Sequence, residues 1–361
     1  MGIRLGGVAG PVNAITDVAG VEVGYVTLIS ETGPVRTGVT ALLPRGRDGI
    51  GVSCAAGWHS LNGNGELTGT HWLTETGSLS SAILLTNTFA IGPCHRGAVD
   101  WITMRQPGVM PWDFPVVGET WDGHLNDVNG SHVQPEHAVR AIDDARGGAI
   151  EEGSVGGGTG MVCYGFKGGS GSASRLVGFG GTTYTVGAFV QANFGRRREL
   201  VVDGYPVGNL LLDDNPVEED KRAMPPGAGS VIVVVATDAP LLPHQCSALA
   251  RRVTIGIGRT GTSGSHHSGD IFLAFSTANP GVLASTPGSP AEGDASPKLS
   301  TLEFLSWNTI DPLFEATVQA VEEAVLNALI ANQAMVGRNG HRVPALPRDQ
   351  LRALLIERGA R

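Results

Sequence analysis

A serine placed just after a glycine, at the threshold of an apolar strand, has the makings of a nucleophile that cuts its own chain. Pro225 to Asp238 reads Pro-Pro-Gly-Ala-Gly-Ser-Val-Ile-Val-Val-Val-Ala-Thr-Asp. Val231 to Val235 is apolar throughout, which predicts a strand buried on both faces, and Ser230 is the last polar residue before it. Gly229 carries no Cβ and tolerates dihedrals closed to other residues. A serine hydroxyl needs that freedom to fold back onto its own upstream carbonyl. Attack moves the acyl group from nitrogen to oxygen, and hydrolysis of the ester leaves Ser230 as a new N-terminus. Its α-amine, with an ordinary pKa of about 7.7 to 8.0, can then act as the base for its own hydroxyl. The competing reading is a loop-to-strand junction in which the serine is a turn residue.

Other residues could complete such a centre. Pro115-Val-Val-Gly-Glu-Thr-Trp-Asp runs from a short strand into a polar loop. It sets the Glu119 carboxylate beside Trp121, a combination suited to an ammonium group through charge pairing and cation–π contact. A solvated turn is the alternative. Asn193 ends a strand read over Thr183 to Asn193, where its amide can donate to a developing oxyanion or cap a turn. Ser268 and Asp270 stand two apart at the start of a strand over Ile271 to Phe275. In an extended chain they share a side and could hydrogen-bond the Ser230 amine and hydroxyl; an Asx-type turn is the alternative. His59, His71 and His95 do not lie at metal-ligand spacing, so no metal site is expected. The glycine-rich stretch from Ser154 to Gly169 lacks a GxxxxGK[ST] pattern and a following helix, which favours close backbone approach around an active site, or simple strand packing, over phosphate binding.

These residues need elements to hold them. Strands are read over Gly38 to Leu43 and Ala82 to Asn87, with strands and a turn in 14–28, and 59–65 reads as a loop. Helices are read near Cys94 to Ile102, over Glu136 to Ala145 behind Pro135, over 244–257, from Asp311 to Ala334 and over 346–357. In the long helix Ala316, Ala320, Ala324 and Ala328 make a small-residue face able to pack closely. Residues 196–228 are charged, rich in Pro and Gly and poorly periodic, so they read as a linker and a loop beside the cleavage point. Residues 281–300 read as a second loop.

Composition narrows the class of function. Glycine accounts for 53 of 361 residues with no three-residue period, which excludes a collagen-like chain. Only 16% of residues are charged and the formal net charge is −9 with no basic block, so nucleic acid is not an expected partner. The four cysteines lack CxxC spacing and read as buried thiols in a reducing compartment. No apolar leader or ~18-residue apolar run is present, so neither a signal peptide nor a membrane span is expected, and a cytoplasmic location follows.

The chain resembles the DmpA-type aminopeptidases, the peptidase S58 family that includes β-peptidyl aminopeptidases and D-aminopeptidases. The matching segments are Asn62-Gly-Asn-Gly-Glu66, Glu119-Thr-Trp-Asp-Gly, Gly157-Gly-Thr-Gly-Met161, Gly165-Phe-Lys-Gly-Gly169, Val190-Gln-Ala-Asn-Phe-Gly195, Gly229-Ser230 and Ser268-Gly-Asp-Ile-Phe-Leu-Ala-Phe275. They span nearly the whole chain in order. The resemblance implies a single α+β domain over 1–361, an αββα four-layer sandwich like that of N-terminal-nucleophile hydrolases with different connectivity. It also implies self-cleavage into a 1–229 α-subunit and a 230–361 β-subunit, assembled as a homo-oligomer of αβ units without a cofactor. By the family pattern Ser230 is the nucleophile, Asn193 an oxyanion donor, and Ser268 and Asp270 support the nucleophile. Glu119 binds the substrate ammonium beside Trp121. Asp270 stands where some relatives carry a glutamate one methylene longer, and Trp121 where some carry tyrosine. Ala228 stands where a polar residue is frequent.

The function implied is release of N-terminal residues from short peptides, aminoacyl amides or esters through an acyl-enzyme on Ser230. Two alternatives stay open at this level. One is an acyltransferase of the ornithine-acetyltransferase type on the same architecture, although its threonine nucleophile motif is absent here. The other is an uncleaved, non-catalytic binding paralogue.

Overall fold

The computed structural model describes residues 2–105, 114–219, 228–285 and 299–359. Residues 225–227 of the stretch around Ser230 and 286–298 of the second loop therefore lie outside the described residues. In chain order the strands are β1 (Glu22–Ile29), β2 (Arg36–Leu43), β3 (Cys54–Gly63), β4 (Ser78–Leu79), β5 (Ile83–Asn87) and β6 (Val116–Thr120). A small hairpin of β7 (Val162–Cys163) and β8 (Phe166–Lys167) precedes β9 (Gly169–Phe179), β10 (Thr182–Asn193), β11 (Gly229–Thr237) and β12 (Ser268–Ser276). The helices are α1 (Thr70–Thr76), α2 (Ile91–Arg105), α3 (Pro135–Asp143), α4 (Pro216–Glu219), α5 (Pro243–Arg259), α6 (Asp311–Ile330) and α7 (Arg348–Gly359).

Ten of these strands form two stacked sheets. One is four-stranded in the order β1-β2-β5-β6, and the other six-stranded in the order β4-β3-β12-β11-β10-β9. Period-two alternation shows how both faces of the larger sheet are used. In β11, Val231, Val233 and Val235 pack with helical residues such as Leu249, Val253, Val321 and Leu329. Ile232, Val234 and Ala236 instead meet Leu42, Ile83, Leu85 and Val116 of the smaller sheet. That smaller sheet turns Val39, Ala41, Leu84 and Val117 towards Ala98, Trp101, Ala138 and Ile142 of α2 and α3. Three apolar layers between four structural layers make the αββα sandwich. The continuous apolar run after Ser230 is what a strand facing a core on each side requires.

Small residues set the spacing between layers. A Cβ on Gly24 of β1 would fall 2.0 Å from the Ala141 carbonyl of α3, and one on Gly171 of β9 would fall 2.0 Å from the Ala324 carbonyl of α6. The alanine face of α6 therefore lies directly on the strand backbone. Proline at the first turns of α3, α5 and α6 starts each helix without wasting an amide donor.

Two sequence expectations change. Residues 59–63 are not a loop: β3 continues through them and pairs with β12, with a bulge at Asp270–Ile271. The glycines and asparagines there accommodate an irregular strand end rather than a turn. Residues 196–219 are not a linker either. Arg197 is fully buried, and its guanidinium donates to the carbonyls of Tyr164, Gly165, Leu211, Asp213 and Asp214. Leu200, Val202, Val207 and Leu211 join the helix-side core. A single buried cation satisfies the loop carbonyls, so the segment packs despite its polar composition. Residues 220–227, the rest of that expected loop, lie outside the described residues.

Candidate active site

The centre lies where β10 and β11 begin and end side by side. In the antiparallel register Asn193 is the partner of Ser230, and Gln191 that of Ile232. Paired residues share a face, so the Asn193 carboxamide and the Ser230 hydroxyl both point between the sheets, like Ile232 and Phe189. Both are buried. Gly229 is required by contact rather than by dihedral angle. Its φ is not positive, but a Cβ would fall 2.5 Å from the Asn193 carbonyl oxygen and 3.1 Å from Phe194 Cα.

Asn193 is held in one orientation. The Val162 N–H donates to its Oδ1 at 2.8 Å. With the acceptor occupied by a donor, the Nδ2 protons are the part of the amide left for another group. The Ser230 Oγ accepts the main-chain N–H of Trp121 at 3.2 Å. Trp121 thus enters the site through its backbone, while its indole packs on Gly123, where a Cβ would approach ring atoms to 2.5 Å.

Glu119 comes from the other sheet. It sits on β6, in parallel register with Thr86 of β5. Its Oε1 accepts the Glu66 N–H at 3.2 Å and its Oε2 accepts the Thr88 hydroxyl. Burial raises its pKa, opposed by those hydrogen bonds. A Cβ on Gly65 would lie 3.2 Å from Glu119 Oε1 and 3.1 Å from Gly269 Cα, and Gly269 is the register partner of Ser230. Alternation along β6 sets Glu119 on the face of Val117, and Gly65 is the residue that lies between its carboxylate and the strand beside Ser230. A buried anion with no cation among its hydrogen-bond partners suits a positively charged ligand, which would relieve the desolvation penalty.

Ser268 and Asp270 do not hydrogen-bond the Ser230 hydroxyl. Ser268 donates to Asp270 Oδ1 at 2.6 Å, and Asn62 Nδ2 donates to Asp270 Oδ2 at 2.8 Å. Burial raises the Asp270 pKa, with the Ser268 and Asn62 side chains and the Val231 main-chain N–H working against it. In the parallel register Ser230 matches Gly269, which leaves Ser268 and Asp270 alternating onto the opposite face beside Gly229 and Val231. The register therefore sets the pair beside the main chain on either side of Ser230, and Asp270 accepts the Val231 main-chain N–H. Because Ser268 gives its proton to Asp270, its oxygen is left as an acceptor.

In the sequence Asn62 carries no mark of a role beyond opening the Asn-Gly-Asn-Gly-Glu stretch. Thr88 carried no signal at all, since its part depends on β5 lying beside β6. Backbone donors such as Val162, Glu66 and Trp121 have no side-chain signature to read. Among the described residues no group of three His, Cys, Asp or Glu could hold a metal ion, and no helix is long and apolar enough to cross a membrane. The four cysteines are buried and free.

The peptidase family S58 model matches residues 13–343. The β-peptidyl aminopeptidase BapA of Sphingosinicella microcystinivorans is 47% identical over 371 residues, covering 98% of this chain and 90% of the relative. The L-aminopeptidase D-Ala-esterase/amidase of Ochrobactrum anthropi, described as a prototype for the serine aminopeptidases and a new variant among the Ntn hydrolase fold, superposes with a TM-score of 0.90. It is 44% identical and the match covers 99% of this chain and 97% of that one. The β-aminopeptidase of a Burkholderia species gives a TM-score of 0.88 at 45% identity, with 99% and 97% covered. With agreement of sequence and layers over nearly the full length, this chain belongs to peptidase family S58, the serine aminopeptidases built on a variant of the Ntn-hydrolase fold.

Proposed function

We propose that the chain cleaves itself between Gly229 and Ser230, and that the resulting N-terminal Ser230 releases N-terminal residues from short peptides, aminoacyl amides and esters. The observation that carries this reading is the direct pairing of Ser230 with Asn193, whose Oδ1 is tied to the Val162 N–H. A nucleophile thus stands beside an amide donor whose orientation is settled before any substrate arrives. The α-amine freed by cleavage serves as base, and the Ser268 oxygen, turned to acceptor by its bond to Asp270, holds one of its protons. The α-amine takes the Oγ proton as Ser230 attacks the acyl carbon, Asn193 Nδ2 meets the oxyanion, and its collapse expels the amine or alcohol, which leaves with that proton; water then hydrolyses the acyl-enzyme ester and restores Ser230.

The named relatives span β-peptidyl, L-aminopeptidase and D-Ala-esterase/amidase activities. Their common demand is an acyl group bearing a free amine, and Glu119 answers it. None of those three is named as an acyltransferase or a binding protein. Buried free cysteines favour a reducing cytoplasm. The family resemblance supports a homo-oligomer of αβ units, to be checked by light scattering. The decisive test is intact mass with N-terminal sequencing, alongside release of amino acids from aminoacyl amides.

Glu119→Gln keeps the shape and loses the charge. The lost ammonium pairing is expected to be worth about 2 to 3 kcal/mol, or roughly 30- to 150-fold in kcat/KM for free-amine substrates. Wild-type enzyme should leave N-acetylated peptides intact; equal turnover of acetylated and free substrates removes this role from Glu119.

Gly229→Ala should slow cleavage, because the added methyl collides with the Asn193 carbonyl and Phe194 Cα and displaces the scissile carbonyl. The readout is the fraction of chain cleaved with time after purification. A rate equal to wild type would mean that the strand end yields without cost.

A further inference from the structure

Lys167 is a fully buried lysine on β8 that the reaction described above does not use. Its ammonium donates to the carbonyls of Gly168 at 2.7 Å, Met161 at 3.0 Å and Gly158 at 3.5 Å. Those carbonyls do not need it for satisfaction. Met161 O also accepts the Gly168 N–H, Gly158 O the Met161 N–H, and Gly168 O the Asn332 side-chain amide. Burying an ammonium is costly, and an apolar side chain of similar length could fill the space. Burial pulls its pKa down to about 7, opposed by the nearby Cys163 and Asp122.

The Met161 carbonyl belongs to the same peptide unit as the Val162 N–H. That unit is trans and planar, so its C=O and N–H point from opposite edges of one rigid plate. Lys167 grips one edge at 3.0 Å, and Asn193 Oδ1 accepts from the other at 2.8 Å. We propose that Lys167 is a positioning and polarising residue for the oxyanion donor Asn193, acting through the Met161–Val162 peptide. A cation on the carbonyl makes the opposite N–H a stronger donor, and that donor in turn polarises the Asn193 carboxamide towards its Nδ2 protons. In the protonated form of Lys167, three hydrogen-bonded units thus run from its ammonium to the position where negative charge develops. The same contacts stop the peptide plate from rotating, which keeps Asn193 aimed.

This inference rests on the oxyanion role of Asn193, and a double-mutant cycle separates the two. Lys167→Met, Asn193→Ala and the double variant are assayed as fully cleaved enzyme, with cleavage verified by mass. Lys167→Met is expected to lower kcat by about tenfold with KM within about twofold, less than the loss on deleting the donor itself. In the Asn193→Ala background the same substitution should cost less than about twofold, because the group it acts through is gone. Equal losses in both backgrounds, or wild-type kcat in Lys167→Met, overturn the proposal. If Asn193→Ala alone leaves kcat unchanged, it is the oxyanion reading that fails. Should Lys167→Met not accumulate as folded protein, Lys167→Gln takes its place in the cycle, removing the charge while keeping a donor. Where maturation is too slow for turnover to be measured, the cycle is read in the rate of chain cleavage, which passes through a similar oxyanion.

Discussion

Ser230→Ala is expected to remain a single 361-residue chain and to lose aminopeptidase activity by at least about 10⁴-fold. One atom carries both effects. The hydroxyl that would open the Gly229–Ser230 peptide is the same hydroxyl that would attack the substrate, and its proposed base, the Ser230 α-amine, would not exist until the peptide is opened. Alanine at 230 adds no bulk beside Asn193 and leaves the Val231–Val235 core strand untouched, so the fold should survive. Circular dichroism and melting temperature should stay near wild type while the mass stays at that of the precursor. A wild-type chain that remains full-length after prolonged incubation, yet hydrolyses aminoacyl amides, would overturn the mechanism.

Asn193→Ala comes next in size. Acyl transfer puts negative charge on the carbonyl oxygen, and removing one donor to it typically costs ~2.7 to 4 kcal/mol, or ~100- to 1,000-fold in kcat. The ground-state carbonyl makes a weaker demand on the same donor, so KM should change far less than kcat. The proposed self-cleavage would pass through a similar oxyanion, and the variant must therefore be assayed only after cleavage is verified. A mature Asn193→Ala enzyme with near wild-type kcat would assign the oxyanion to main-chain donors alone. The Trp121 N–H, already 3.2 Å from Ser230 Oγ, is the first of these to consider.

Much of this molecule is written in local pattern. The β-branched run after Ser230, the strand ending at Asn193 and the proline-started helices are features of a few neighbouring residues, and each appears where the pattern places it. Polar and glycine-rich composition misled at two places for one physical reason. Arg197 turns the carbonyls of a loop inward, and the irregular end of β3 uses Asn and Gly inside a sheet. Composition reports what a segment would do against water, whereas both segments lie against protein.

The sequence by itself determined the nucleophile candidate, its glycine neighbour and the polar residues able to serve it. A hydroxyl at the mouth of a doubly buried strand is legible from side-chain types alone. The tertiary structure decided which of those residues face one another. Alternation divides β12 into two faces, but only the parallel register with β11 puts Ser268 and Asp270 beside the Ser230 main chain and not its hydroxyl. Only the stacking of two sheets brings Glu119 and the Trp121 N–H over from β6. The links from Asn62 to Asp270 and from Lys167 through the Met161–Val162 peptide to Asn193 depend on segments that meet through pairing and packing. Such links turn on a few ångströms between backbone groups, which every residue carries alike, so no choice of side chain announces them.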